Sequence, residues 1–193
     1  MYDNVKDEIF SGQQYLEIMK QHMATETSPD ILLDNCRSNI AACISAYIPE
    51  ARSDYESEQV FNLYIDQIVP NLSEEEAKLV LVFISIHFTT SEAQFKLLKS
   101  WFDSGIITNT KGEAYPGLEL KLKAKHAVVQ KIFSSLFFSR EEKDQLLAKL
   151  AEQDSSDWTA NTKHFCRSVL PDAAVKEACW NEIFSDDNQM SLE

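Results

Sequence analysis

Residues 127–142, AVVQKIFSSLFFSREE, decide the fold class. Val128, Val129, Ile132, Phe133, Leu136 and Phe137 recur at the three- and four-residue spacing that lines one side of a helix. Ser139 with Glu142 then carries the pattern that opens another helix. The serine oxygen accepts from an orphan backbone N–H while the carboxylate reaches back to the cap. Two residues separate the expected helices, and a link that short forces them to lie antiparallel.

The same signals repeat outward along the chain. Ser11 with Gln14, Ser73 with Glu76 and Ser91 with Gln94 share the capping spacing. Ile31, Leu32, Cys36, Ile40, Cys43, Ile44 and Tyr47 form a second stripe. Ser28-Pro29 and Leu170-Pro171 put prolines at first-turn positions, where the missing N–H costs nothing. Four glycines and five prolines in 193 residues give little punctuation for a sheet. The expected helices lie near 2–10, 12–24, 29–47, 50–69, 74–88, 92–103, 118–137, 140–152, 157–169 and 172–184. This reading is all-α, about ten helices stacked as antiparallel hairpins in a superhelical array of the HEAT or armadillo kind. It makes residues 1–193 a single helical-repeat domain.

Two stretches are less direct. Leu79-Val80-Leu81-Val82-Phe83-Ile84 is rich in β-branched residues and could be a buried strand, but the cap before it and the want of a partner strand favour a central helix. Gly105 to Gly117 is the one long irregular stretch, either a functional loop or a mobile one.

A formal charge of -13, with 18 basic against 31 acidic residues, leaves no basic footprint for nucleic acid. The acidity suits either a solvated surface or a chamber that attracts basic peptides. Cys36, Cys43, Cys166 and Cys179 lack C-x-x-C spacing and fall on apolar stripes, so they read as small buried residues of a reduced, cytoplasmic protein. No signal peptide or membrane span is visible. The densest apolar run, Leu79 to Phe88, has about half the length needed to cross a bilayer.

Catalytic constellations are not evident. His22, His87, His126 and His164 are followed four residues later by Glu26, Ser91, Gln130 and Ser168, so none begins an H-E-x-x-H zinc site. His22 with Glu26 is at most a two-ligand face. His164 and Cys166, two apart, point to different sides of a helix. Catalytic and metal-ligating residues are therefore both expected to be none, and the chain is not expected to be an enzyme on its own.

One long segment carries a family resemblance. It runs from Asp154 through Cys166, Arg167, Pro171, Asp172, Lys176 and Trp180 to Asp186, Asp187 and Leu192. It resembles the helical C-terminal domain of zinc aminopeptidases of the aminopeptidase N type, the domain shared with endoplasmic-reticulum and puromycin-sensitive aminopeptidases. Tyr2-Asp3-Asn4-Val5-Lys6-Asp7, with Ser11 and Tyr15-Leu16, is similar to that domain's opening hairpin. Leu97-Leu98 to Gly105, then Pro116-Gly117-Leu118-Glu119-Leu120, is similar to its central loop and re-entry helix. The chain departs from the family at Lys121 and at Lys125-His126, where an acidic residue and an Arg-Trp pair are favoured, and near Thr159, where glycine is frequent.

The resemblance implies a truncated part of a larger C-terminal domain, non-catalytic, that walls off the active-site chamber and helps select peptide substrates. Zinc would belong to a catalytic domain upstream of Met1, the G-x-M-E-N motif being absent here as well. Met1 itself could be an added start, and Leu192-Glu193 a cloning scar. The implied partners are that upstream domain and peptides, without nucleic acid or membrane, and self-association of the chain is possible. Pro171, Lys176 and Trp180 are the signature residues, read as structural. Trp180, with Val175, Cys179, Ile183 and Phe184, would lock the last hairpin, and its loss from a buried site would cost about 3 to 5 kcal/mol. Lys121 and Lys125, within the cationic set that includes Lys123 and Lys131, are the candidates for facing a substrate carboxylate. The alternative function is an independent helical-repeat interaction module.

Overall fold

The computed structural model describes residues 10–26, 28–73, 75–170 and 172–184. The expected helix at 2–10, except for Phe10, which is a bend, lies outside the described residues, as do Pro171, the Asp186-Asp187 turn and the side chain of Cys36. The protein is mostly helical, with about ten helices and one small two-stranded hairpin. It divides into two compact units, Met1–Leu120 and Lys121–Glu193.

In the first unit, α1 (Gly12–Met23) is followed by α2 (Pro29–Asp34), which runs through a π-helical segment, Asn35–Ile40, into α3 (Ala41–Tyr47). α4 (Glu50–Leu63) likewise passes through a π-helical segment, Tyr64–Ile68, into the short α5 (Val69–Asn71). α6 (Glu75–Ser85) tightens into a 3-10 turn, Ile86–Phe88, and α7 (Glu92–Ser104) leads to β1 (Ile106–Thr108) and β2 (Ala114–Glu119). Ser11 and Ser91 close their capping boxes in both directions, which explains why α1 and α7 start where the sequence puts them. The expected cap of Ser73 with Glu76 spans Glu74, which lies outside the described residues.

The core of this unit is aromatic and branched, with Tyr15, Leu16, Phe61, Tyr64, Ile65, Leu81 and Trp101 fully buried. The ambiguous 79–84 run is helical and packs inward through Leu81 and Val82. α1 meets α3 so closely that a Cβ on Gly12 would stand 2.9 Å from both the Cβ and the carbonyl oxygen of Tyr47. Glu56, fully buried, is held by Lys20 at 3.1 Å and Arg52 at 2.9 Å; an unpaired carboxylate there would be strongly destabilising.

The stretch from Gly105 corrects two expectations. Gly105 ends α7 in the left-handed conformation, φ 74°, and the chain returns as an antiparallel hairpin pairing Ile106 with Glu119 and Thr108 with Ala114. Asn109 organises the turn, its Oδ1 accepting from the backbone of Lys111 at 3.0 Å and of Glu113 at 2.8 Å. The hairpin is anchored to the second π-helical segment. Asp66 accepts from the Thr110 N–H and hydroxyl at 2.9 and 2.6 Å, and the Tyr115 hydroxyl donates to the Ile65 carbonyl. The segment is therefore ordered β-structure rather than irregular chain, and the expected helix 118–137 starts only at Leu122 because Leu118 and Glu119 complete β2.

The second unit holds α8 (Leu122–Ser134), α9 (Arg140–Gln153), α10 (Asp157–Ser168) and α11 (Ala173–Ile183). α8 packs on α9 and α10, and α11 packs on α10. Val128, Val129, Ile132, Leu150 and Cys166 are fully buried between them. Leu136 and Phe137, which extend the stripe in sequence, are 90% and 48% exposed because α8 stops at Ser134. Ser139 closes its capping box, and Asp172 caps α11 by accepting from the N–H groups of Ala174 and Val175. Among the described residues, no helix is long and apolar enough to cross a membrane.

Candidate functional site

The basic start of α8 carries the sequence-predicted residues Lys121 and Lys125, and the residue after Lys125 enters a buried polar cluster. Lys121 is the exposed N-cap residue and makes no side-chain cap bond. Lys125, half-buried, donates from Nζ to Gln153 Oε1 at 2.8 Å, tying α8 to the end of α9. The next residue, His126, turns inward and is 3% exposed.

Both ring nitrogens of His126 are engaged. Nε2 lies 2.9 Å from Asp154 Oδ2, and Nδ1 lies 2.8 Å from Thr162 Oγ1, which Gln130 Nε2 approaches at 3.4 Å. One set of directions satisfies the whole row: Nε2–H donates to Asp154, and the Thr162 hydroxyl donates to Nδ1 while accepting from Gln130. Asp154 also accepts from the Ser156 N–H at 2.9 Å and the Ser156 hydroxyl at 2.8 Å. The Ser156 N–H and hydroxyl, helped by His126 and opposed by burial, pull the Asp154 carboxyl down to about 2. Thr159 donates to the Asp154 carbonyl at 2.7 Å, so the side chain and backbone of Asp154 both hold α10 in place.

Hydroxyl, imidazole and carboxylate in a row are the parts of a nucleophilic relay. Here Thr162 is 2% exposed and its hydroxyl is enclosed with His126, so the observed arrangement works as a clasp joining α8, the α9–α10 link and α10. Over it stands Trp158, 54% exposed, its ring edge-on to His126 at 6.0 Å and with Lys123 Nζ 5.9 Å from its centroid.

The signature residues behave differently. Lys176 is exposed on α11. Trp180 is 63% exposed, so the expectation that it locks the last hairpin from a buried position is not met by its packing in this unit; among the described side chains of α11, Cys179 is the buried one. The Trp180 ring instead lies 4.4 Å from that of Phe184, itself 65% exposed. Cys166 and Cys43 are buried as expected, and burial pushes their thiols up to about 12 and about 11. His164 is half-exposed while Cys166 is fully buried, in line with their opposite faces. Among the described residues, no group of three His, Cys, Asp or Glu side chains is placed to hold one metal ion.

The clasp was not anticipated from sequence. Its one local signal is His126 itself, a polar residue on the buried face that Val129 and Phe133 continue three and seven positions later. Comparison with models of protein families, with curated proteins and with solved structures finds no match to this chain.

Proposed function

We propose that this chain is a non-catalytic helical domain of an aminopeptidase N-like zinc exopeptidase, one that walls off the active-site chamber and helps select peptides. The observation that carries the reading is the exposed aromatic pair on α11 and its C-cap. Trp180 and Phe184, on the segment that holds the family-like residues, expose adjoining aromatic faces to solvent. Exposed aromatic surface of this kind suits a contact with further polypeptide. On this reading further helices or the catalytic domain lie over α11, the stacked hairpins continue beyond it, and zinc and the catalytic groups belong to the upstream domain. Lys121 and Lys125, at the start of α8, would be the residues to meet a peptide carboxylate.

The same aromatic pair also suits an independent helical-repeat module that uses α11 to hold a partner. Sedimentation velocity over a range of concentrations tests the surface common to both readings. Reversible self-association that Trp180→Ala with Phe184→Ala weakens is the expected result, and its reduction when the next helical hairpin is added supports the aminopeptidase reading. A strict monomer at high concentration would overturn the assignment of α11 as a contact surface.

A further inference from the structure

A cleft of about 370 Å³ opens in the first unit between α3, α4 and the end of α6. That volume lies in the lower part of the range of about 300–1,000 Å³ that small-molecule sites occupy. Ile44, Phe83, Ile84 and Phe88 supply its apolar lining. The space exists because two facing helices present short side chains one turn apart, Ala41 with Ser45 on α3 and Ser53 with Ser57 on α4. Ala41 also follows directly on the π-helical segment Asn35–Ile40, a distortion that recurs at functional sites.

The polar groups narrow the choice of ligand. Ser57 is 8% exposed and lines the cleft, and its hydroxyl has no hydrogen-bond partner among the described residues. Its oxygen is open to the cleft rather than sealed off, so a ligand group that bonds to it takes the place of a water. A hydroxyl both donates and accepts, so a carbonyl or an alcohol serves equally well. Among the described residues of the lining there is no Lys, Arg, Asp or Glu, which leaves a fully charged head without a counter-ion there. His87, the titratable residue of the lining, stands edge-on to Phe83 with 5.8 Å between ring centroids.

We infer that this cleft binds a small uncharged molecule with a compact apolar body and one hydroxyl or carbonyl group, the body resting on Ile44, Phe83, Ile84 and Phe88 and the polar end bonding to Ser57. The site is separate from the surfaces on which the aminopeptidase reading rests, so its failure would leave that reading standing.

The test follows the amide resonances of the whole chain while benzyl alcohol, benzoate or benzylamine is added. Benzyl alcohol should give saturable, millimolar shifts confined to α3, α4 and α6, and the two charged probes should bind about tenfold more weakly. Ser57→Ala should weaken benzyl alcohol by about tenfold, one hydrogen bond being lost. Ala41→Leu should abolish binding by filling the cleft. If circular dichroism shows that variant to be unfolded, Ser53→Leu replaces it. Shifts that never saturate, shifts that saturate elsewhere, equal binding of the charged probes, or undiminished binding by the filled variant would each overturn the proposal.

Discussion

Lys143 Nζ stands 2.6 Å from the carbonyl oxygen of Ser135, so a residue in the first turn of α9 closes the end of α8. The same ammonium donates to the Phe133 carbonyl at 3.0 Å. These are among the carbonyls that a helix leaves without an internal partner at its C-terminus, and a cation there also suits the helix dipole. Lys143 is 7% exposed, and burial, reinforced by Arg140, pushes its ammonium below the usual lysine range. Lys143→Met keeps the stem's volume and removes the donors, leaving two carbonyls short of a partner. It should destabilise the protein by roughly 2 to 4 kcal/mol in urea denaturation. A loss below about 0.5 kcal/mol would mean that water replaces the ammonium.

Asp154 predicts an acid-dependent term. Its carboxyl, ordinarily at 3.8, is held down at about 2, chiefly by the N–H and hydroxyl of Ser156. A carboxyl with a depressed folded-state pKa contributes stability that is fully present above the unfolded value and is lost as pH falls through the folded one. The stability difference between wild type and Asp154→Asn should therefore hold steady above about pH 5 and shrink between about pH 4 and pH 2. A difference that does not change across that window would refute the role given to the carboxylate.

Gly12→Ala tests the contact between α1 and α3. The new Cβ meets the Tyr47 backbone at 2.9 Å, and a backbone carbonyl cannot rotate aside as a side chain can. Although alanine favours helices, the overpacking should prevail and cost about 1 to 3 kcal/mol. Unchanged or raised stability would show that the two helices separate freely.

Trp180→Ala should cost less than about 1 kcal/mol, because the ring already lies mostly in solvent. A loss of about 3 to 5 kcal/mol would instead indicate a ring buried in the folded chain in solution. Thermal or urea unfolding at low protein concentration makes the comparison without interference from association.

Local rules were legible where one segment carries its own answer. Ser11, Ser91 and Ser139 open their helices as the spacing requires, and the 79–84 run is a helix despite its β-branched residues. The hairpin was not legible, because a strand as short as Ile106–Thr108 has too few residues to display alternation. Its place depends on Asp66 and Ile65, more than forty residues earlier in the chain. The exposure of Trp180 has a related reason: periodicity finds an apolar side of α11 but does not say which residue on it is covered, and among the described side chains Cys179 is buried while Trp180 is not. The His126 clasp and the Lys143 cap are buried polar interactions whose partners become neighbours only once α8, α9 and α10 have packed.

The aminopeptidase reading is tested most directly by the transcript that encodes this chain, read upstream of the Met1 codon. The account predicts a continuous reading frame containing H-E-x-x-H and a distal glutamate, the ligand set and general base of a zinc peptidase. An in-frame stop immediately before Met1, with Met1 as the native start, would contradict it and leave α11 as the contact surface of an independent module.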